Sequence, residues 1–213
     1  MQTIILINTR HEEIGMCNAK ELCKIIKKSS PDVIFLEALE NTYSNYDQMR
    51  FSSFGVYHEK LEIKAMQLYS QNASFVYVPV LDDGLSDTFQ KKYSLICNNH
   101  EFKSLVDNYN SLANHNGFKF LNSIESTNLQ DDMRKLESVL LYGSEIEMEF
   151  NNSIEIYENT MIENIYSYCK NNHFNTAIFL CGVAHRKSII EKIENLQTTK
   201  EIKLNWKFYE DQT

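Results

Sequence analysis

The sequence predicts an α/β layered domain with a mainly parallel central sheet and a helical insertion. Three observations point there. Short, continuous apolar runs rich in β-branched and aromatic residues recur along the chain, the pattern of strands buried on both faces. Amphipathic helical stretches separate them, which makes β-α-β units with right-handed crossovers. The chain has 213 residues, 43% of them hydrophobic and 12% aromatic, which suits one domain, 1–213, with a substantial core.

Residues 3–8 form the first apolar run. From 13 to 28, Ile14, Cys17, Leu22, Ile25 and Ile26 recur at helical spacing, with Lys at the C-terminal end where it suits the helix dipole. Ser29-Ser30-Pro31-Asp32 ends that helix, and Val33–Leu36 makes a second buried strand. A helix at about 58–72 leads into a third strand, Phe75–Val78, which Pro79 and an Asp82-Asp83-Gly84 turn end. Residues 86–142 hold helical stretches at about 87–95, 101–115 and 128–141 and a short apolar piece at Phe118–Leu121; they read as an insertion or cap. A long helix follows at about 145–171, with Ile154, Tyr157, Met161, Ile165 and Tyr168 on one face. Ala177–Cys181 is a strand and Ser188–Leu196 a helix, and Ile202–Phe208 alternates as an edge or antiparallel strand.

Composition narrows the functional classes. The formal charge is −8 and Lys and Arg form no long run, so nucleic acid and anionic membranes are disfavoured partners. No apolar run approaches the roughly 18 residues of a membrane span, and the N-terminus carries no signal-peptide pattern. Five cysteines at scattered spacings, with no CxxC, read as reduced thiols in a cytoplasmic protein. The composition leaves room for a homo-oligomer or a protein partner.

Sites in parallel α/β sheets lie outside the carboxyl ends of the strands. The stretch Asn8-Thr9-Arg10-His11-Glu12-Glu13 follows the first strand directly and begins like the zinc-peptidase HExxH, but position 15 is Gly. A partner for His11 must come from elsewhere. Glu37 and Glu40 follow the second strand, Asp82 and Asp83 the third, and His185 follows the strand 177–181. Four strands thus send ionisable groups to one rim. Glu12 and Glu13 read as first-turn helix residues, and Arg10 and Arg186 as surface charge that could otherwise hold a substrate carboxylate or phosphate. Cys181 reads as a packed small hydrophobe rather than a nucleophile. G-x-S-x-G and phosphate-binding glycine loops are absent from the sequence.

Together, "NTRHEE", "PDVIFLEALENTY" and "FLCGVAHRKSIIEKI" resemble the TraB/Tiki/GumN group, within the superfamily that includes erythromycin esterase and the ChaN lipoproteins. His11 and Thr9 match the first family motif, Glu37 the glutamate after strand two, and Gly182 with His185 the second histidine motif; "YENTMIENI", 157–165, is similar to the family's helix before the last strand. Asn8 stands where the family has glycine, Ala38 where it has leucine, and a basic residue near Glu158 is missing. The resemblance spans about 3 to 195 and leaves 86–142 unmatched. It implies metal-dependent proteolysis or water activation for ester hydrolysis. ChaN proteins are lipoproteins and this chain shows no lipoprotein signal, which counts against an iron- or haem-binding reading.

The expected function is therefore a metal-dependent hydrolase acting on a peptide or ester. His11, Glu37 and His185, with Asp82, are the candidate ligands of a divalent ion such as Mn, Co, Fe or Zn. Glu37, Glu40 and His185 are the candidate catalytic groups, Glu40 or Asp82 accepting a proton from water. In a metal-free version an imidazole is the general base, oriented by Glu37. The helix N-terminus is expected to lower the pKa of His185 and keep it neutral. The rival is a binding or regulatory module that keeps the fold without the chemistry.

Overall fold

The computed structural model describes residues 1–39, 60–84, 88–199 and 202–210. Among these, five strands form one all-parallel sheet: β1 (Thr3–Thr9), β2 (Val33–Leu39), β3 (Val76–Leu81), β4 (Thr176–Gly182) and β5 (Asn205–Phe208), in the order β3-β2-β4-β1-β5. The helices are α1 (Ala19–Ser29), α2 (Leu61–Ser70), α3 (Thr88–Ile96), α4 (His100–Leu121), α5 (Ile124–Leu140), α6 (Glu145–Asn171) and α7 (Arg186–Thr199). None is long and apolar enough to cross a membrane.

Alternate residues of the central strands feed two cores, as the period-2 geometry of a strand requires. Ile7, Ile34, Leu36, Ile178 and Leu180 face one core, with residues from α1, α2 and α4. Ile4, Leu6, Val33, Phe35, Phe179 and Cys181 face the other, with Met161, Ile162 and Ile165 of α6 and Ile189 and Ile193 of α7. The sheet is thus covered on both sides, which explains why its strands read as unbroken apolar runs.

Several local expectations change. The first helix starts only at Ala19, capped by Asn18, whose side chain accepts from Lys20 and Glu21 N–H. Ile14 and Cys17 instead pair with each other in an isolated bridge ahead of it. Glu13 is therefore not a first-turn helix residue; it accepts a hydrogen bond from Ala19 N–H at 2.9 Å and pairs with Lys64. Pro79 does not end the third strand but lies inside it. β3 is an edge strand, where a missing N–H costs no ladder bond on the open side. β5 is an edge strand as expected, but parallel to β1. Phe118–Leu121 is not a separate element; it continues α4 beyond a kink at Gly117, whose φ of +59° suits glycine.

Asn122, at the C-terminal cap of α4, joins this helical region to the strand ends. β5 pairs β1 only as far as Leu6, so among the described residues Asn8 has no strand neighbour on that side. The Asn122 side chain takes the strand's place: its Oδ1 accepts from Asn8 N–H at 2.8 Å and its Nδ2 donates to Asn8 O at 3.0 Å.

Candidate hydrolytic site

His11, Glu37 and His185 do converge, although they come from opposite ends of the chain. β1 and β4 are neighbours with Thr9 opposite Gly182, and β2 lies on the other side of β4, so their carboxyl ends deliver the three residues to one place. Glu37 Oε1 lies 3.8 Å from His11 Nε2 and 3.5 Å from His185 Nε2. Its Oε2 accepts the Gly182 N–H at 2.5 Å, and Oε1 also accepts the Tyr157 hydroxyl at 2.9 Å. A Cβ at Gly182 would stand 3.1 Å from Glu37 Oε2 and 3.7 Å from His11 Nε2, so a side chain here would crowd the carboxylate and push it back by a few tenths of an ångström.

Behind each imidazole stands another carboxylate. Glu62, in the first turn of α2, lies 3.3 Å from His11 Nδ1 and accepts the Thr9 hydroxyl at 2.5 Å. Glu158 of α6 lies 2.9 Å from His185 Nδ1 and also accepts the Ser188 hydroxyl. Glu37, Glu62 and Glu158 are all buried, and buried carboxylates persist only where charge or hydrogen bonds compensate them.

The electrostatics follow from this clustering. Burial opposes ionisation of Glu37, but the two imidazoles and the Gly182 N–H prevail and lower it to about 2. Burial also opposes the charged form of His185, yet Glu158 and Glu37 outweigh it and raise the ring to about 9. The expected lowering by a helix N-terminus is therefore overturned: two carboxylates in contact exceed a partial dipole charge. His11 is raised as well, chiefly by its hydrogen bond to Glu62. Burial and the adjacent Glu37 charge push Tyr157 upward, so it keeps its proton. Burial likewise holds the Cys181 thiol well above its ordinary range, as befits a packing residue and not a nucleophile.

These groups form the floor of a cavity of about 690 Å³, lined by Thr9, His11, Glu37, Tyr157, Gly182 and His185 below and by residues of α3, α4, α5 and α6 above. The segment expected to be a cap thus shares its cavity with the strand ends. Arg134 of α5 donates to Ala184 O in the short 3-10 turn Val183–His185, and Lys187 pairs with Asp131 at 2.6 Å.

The other expected site residues lie differently. Asp82 and Asp83 are exposed, and Asp82 accepts from Asn164 Nδ2 at 2.9 Å without lining the cavity. Glu40 lies outside the described residues. Arg186 is not surface charge: it is buried and donates to Asn8 Oδ1 at 2.7 Å and Asn122 Oδ1 at 3.2 Å. Asn8 in turn has its Nδ2 3.4 Å from Gly182 O. Asn8 therefore helps hold the turn beside Glu37.

Sequence reasoning misses Glu62, Glu158 and Tyr157 as site residues. A signal exists for the two glutamates. Glu62 is followed at helical spacing by Ala65, Met66 and Tyr69, and Glu158 by Met161, Ile162 and Ile165, all buried. A carboxylate on an apolar helical stripe needs a partner.

For a divalent ion, the donor chemistry is appropriate: both Nε2 atoms turn toward Glu37 and both Nδ1 atoms face carboxylates, the usual outer support of imidazole ligands. Among the described residues, however, no three His, Cys, Asp or Glu side chains stand in an arrangement that could hold a metal ion. Comparison with protein-family models, curated proteins and solved structures finds no match.

Proposed function

We propose that this protein is a hydrolase of peptide or ester bonds, similar in site plan to the TraB/Tiki group, that activates water among His11, Glu37 and His185. One observation carries the reading: Glu37 Oε1 lies between the Nε2 atoms of two carboxylate-backed imidazoles on the floor of a cavity. Rigid strand ends hold the three groups, as a catalytic constellation requires.

The two imidazoles divide the proton transfers. His11, the more exposed, takes a proton from water through Nε2 as the water oxygen bonds to the substrate carbonyl carbon. The acyl C–N or C–O bond then breaks and the leaving group takes the proton of the His185 imidazolium. His11 returns its proton to solvent and His185 regains one. Glu37 stays ionised and stabilises both imidazolium forms, while Tyr157 holds the Glu37 carboxylate in place.

A second reading, the divalent-ion hydrolase, draws on charge balance. Three buried carboxylates face two imidazoles, and the buried Glu62 Oε2 has no hydrogen-bond partner among the described residues. A dication would balance that excess, but the side chains as placed form no ligand set for one among the described residues, so this version requires His11, Glu37 and His185 to rearrange around the ion. Five free cysteines support a reducing, cytoplasmic location for either version.

The test is hydrolysis of chromogenic esters and a peptide panel, with and without chelator, together with metal analysis of protein purified without chelator. His11→Ala and Glu37→Gln should abolish turnover while circular dichroism stays native. Turnover that survives chelation supports the histidine base; turnover lost with bound metal supports the ion. Full activity in both variants rejects the site, and no turnover on any substrate moves the reading to a binding module.

A further inference from the structure

We infer that the cavity holds a carboxylate-binding subsite beside His11, formed by Arg10 and Lys60, so that its ligand is a small molecule with an apolar body and an anionic carboxylate. The inference rests on the proposed hydrolytic reading only for placing the bond to be cut near this subsite. The cavity's other cations are engaged. Lys92 pairs with Glu137 at 2.6 Å and lies 3.5 Å from the centre of the Phe150 ring, and Arg134 donates to Ala184 O. Arg10 and Lys60 line the same cavity and make no ion pair with a carboxylate among the described residues.

The Arg10 side chain is held in position, and the Lys60 backbone is anchored beside it. Arg10 is half-buried; its Nη1 donates to Asn110 Oδ1 at 3.1 Å, and its buried Nε has no partner among the described residues. A half-buried guanidinium bonded to a neutral amide has its charge uncompensated and Nη hydrogens to spare, from which a ligand carboxylate can accept. Lys60 is the exposed residue at the N-cap position of α2, and the next residue, Leu61, donates its N–H to His11 O at 3.0 Å, which sets the Lys60 backbone beside His11. Val106, Tyr109 and Met133 of the same cavity supply an apolar wall for the rest of the ligand. Glu37 in the cavity lining and Glu62 and Glu158 behind the imidazoles repel an anion, so the ligand carboxylate belongs on the Arg10 side, where the two cations offset them.

The probes are hippurate and its uncharged analogue hippuramide, titrated calorimetrically into the full chain at low salt. Hippurate should bind at least about tenfold tighter than hippuramide, and added salt should narrow the gap. Arg10→Gln should remove most of the preference and Lys60→Gln a smaller part, while Arg10→Lys, which keeps the charge without the fork, should retain some of it. Equal binding of the two probes by the native protein, binding of neither, or an undiminished preference in Arg10→Gln would overturn the subsite. A carboxylate preference without hydrolysis of any substrate keeps the subsite and rejects the hydrolase; hydrolysis without the preference does the opposite.

Discussion

His11 and His185 are built alike and placed differently. Each follows a strand end, each turns Nε2 to the same oxygen of Glu37, and each has a glutamate on Nδ1. Yet the His185 side chain is 8% exposed and that of His11 is 43% exposed. The difference teaches that one constellation serves two ends. On the His185 side, ion pairing is part of the protein's interior and contributes to folding. On the His11 side the same pairing faces the cavity, where solvent weakens its contribution to stability but leaves the ring open to substrate and water.

The largest effect should come from breaking the buried half. His185→Ala leaves Glu37 and Glu158 in the interior without their shared imidazolium, and loss of one partner from a buried pair costs about 3–5 kcal/mol. Urea denaturation should register that loss; a cost below about 1 kcal/mol would remove the distinction between the two histidines. His185→Gln, which keeps volume and hydrogen-bonding capacity, should recover part of the stability.

Next in size is the pH response of chelator-treated protein. His185 is raised in the folded state, so its contribution is fully present below the ordinary histidine pKa near 6.5 and disappears as pH climbs through about 9. His11 is raised too and adds in the same direction. Denaturation midpoints should therefore fall between pH 6.5 and 9 by on the order of a few kcal/mol in stability, and His185→Gln should flatten most of that slope. A midpoint that rises over this window would contradict the imidazolium assignment.

Tyr157→Phe sharpens the comparison from the Glu37 side. The hydroxyl donates to an ionised carboxylate that both histidines share, and such a bond contributes about 1.5–3 kcal/mol. Stability should drop by that order, and turnover should fall further, because Glu37 loses a restraint. A denaturation midpoint left unchanged by the substitution would show that the hydroxyl does not hold Glu37.

The smallest stability effect belongs to His11→Ala, under about 1 kcal/mol because the ring is part-exposed and its pairing is screened. Any hydrolytic activity should nevertheless vanish, measured as kcat on the best ester or peptide. Catalysis lost at little structural cost is the signature expected of the open half of the site.

Much of the frame is legible in the sequence. The unbroken apolar runs locate the four main strands, and the carboxyl-end rule brings His11, Glu37 and His185 to one rim. The exceptions have physical causes. Pro79 stays in a strand because that strand is at the edge, and the first helix starts late because Asn18 caps it at Ala19, which leaves Glu12 and Glu13 ahead of the first turn. Glu62 and Glu158 are readable only as carboxylates out of place on apolar stripes. Their partners depend on helix rotation and on which strand each helix crosses, which local spacing does not encode.

The chain's own pattern determined which segments become doubly buried strands, which become amphipathic helices, and that the histidine-bearing turns follow strand ends. Those are local consequences of side-chain periodicity and backbone preference. The tertiary structure decided that β1, β4 and β2 lie side by side, so that residues 11, 37 and 185 meet. It also decided that Asn122 completes the open edge of β1, that Arg186 is buried against Asn8, and that Arg10 faces the cavity instead of bulk solvent. Proximity of residues more than a hundred positions apart sets burial, and burial sets charge: only packing could make Glu37 a strong acid between two histidine rings.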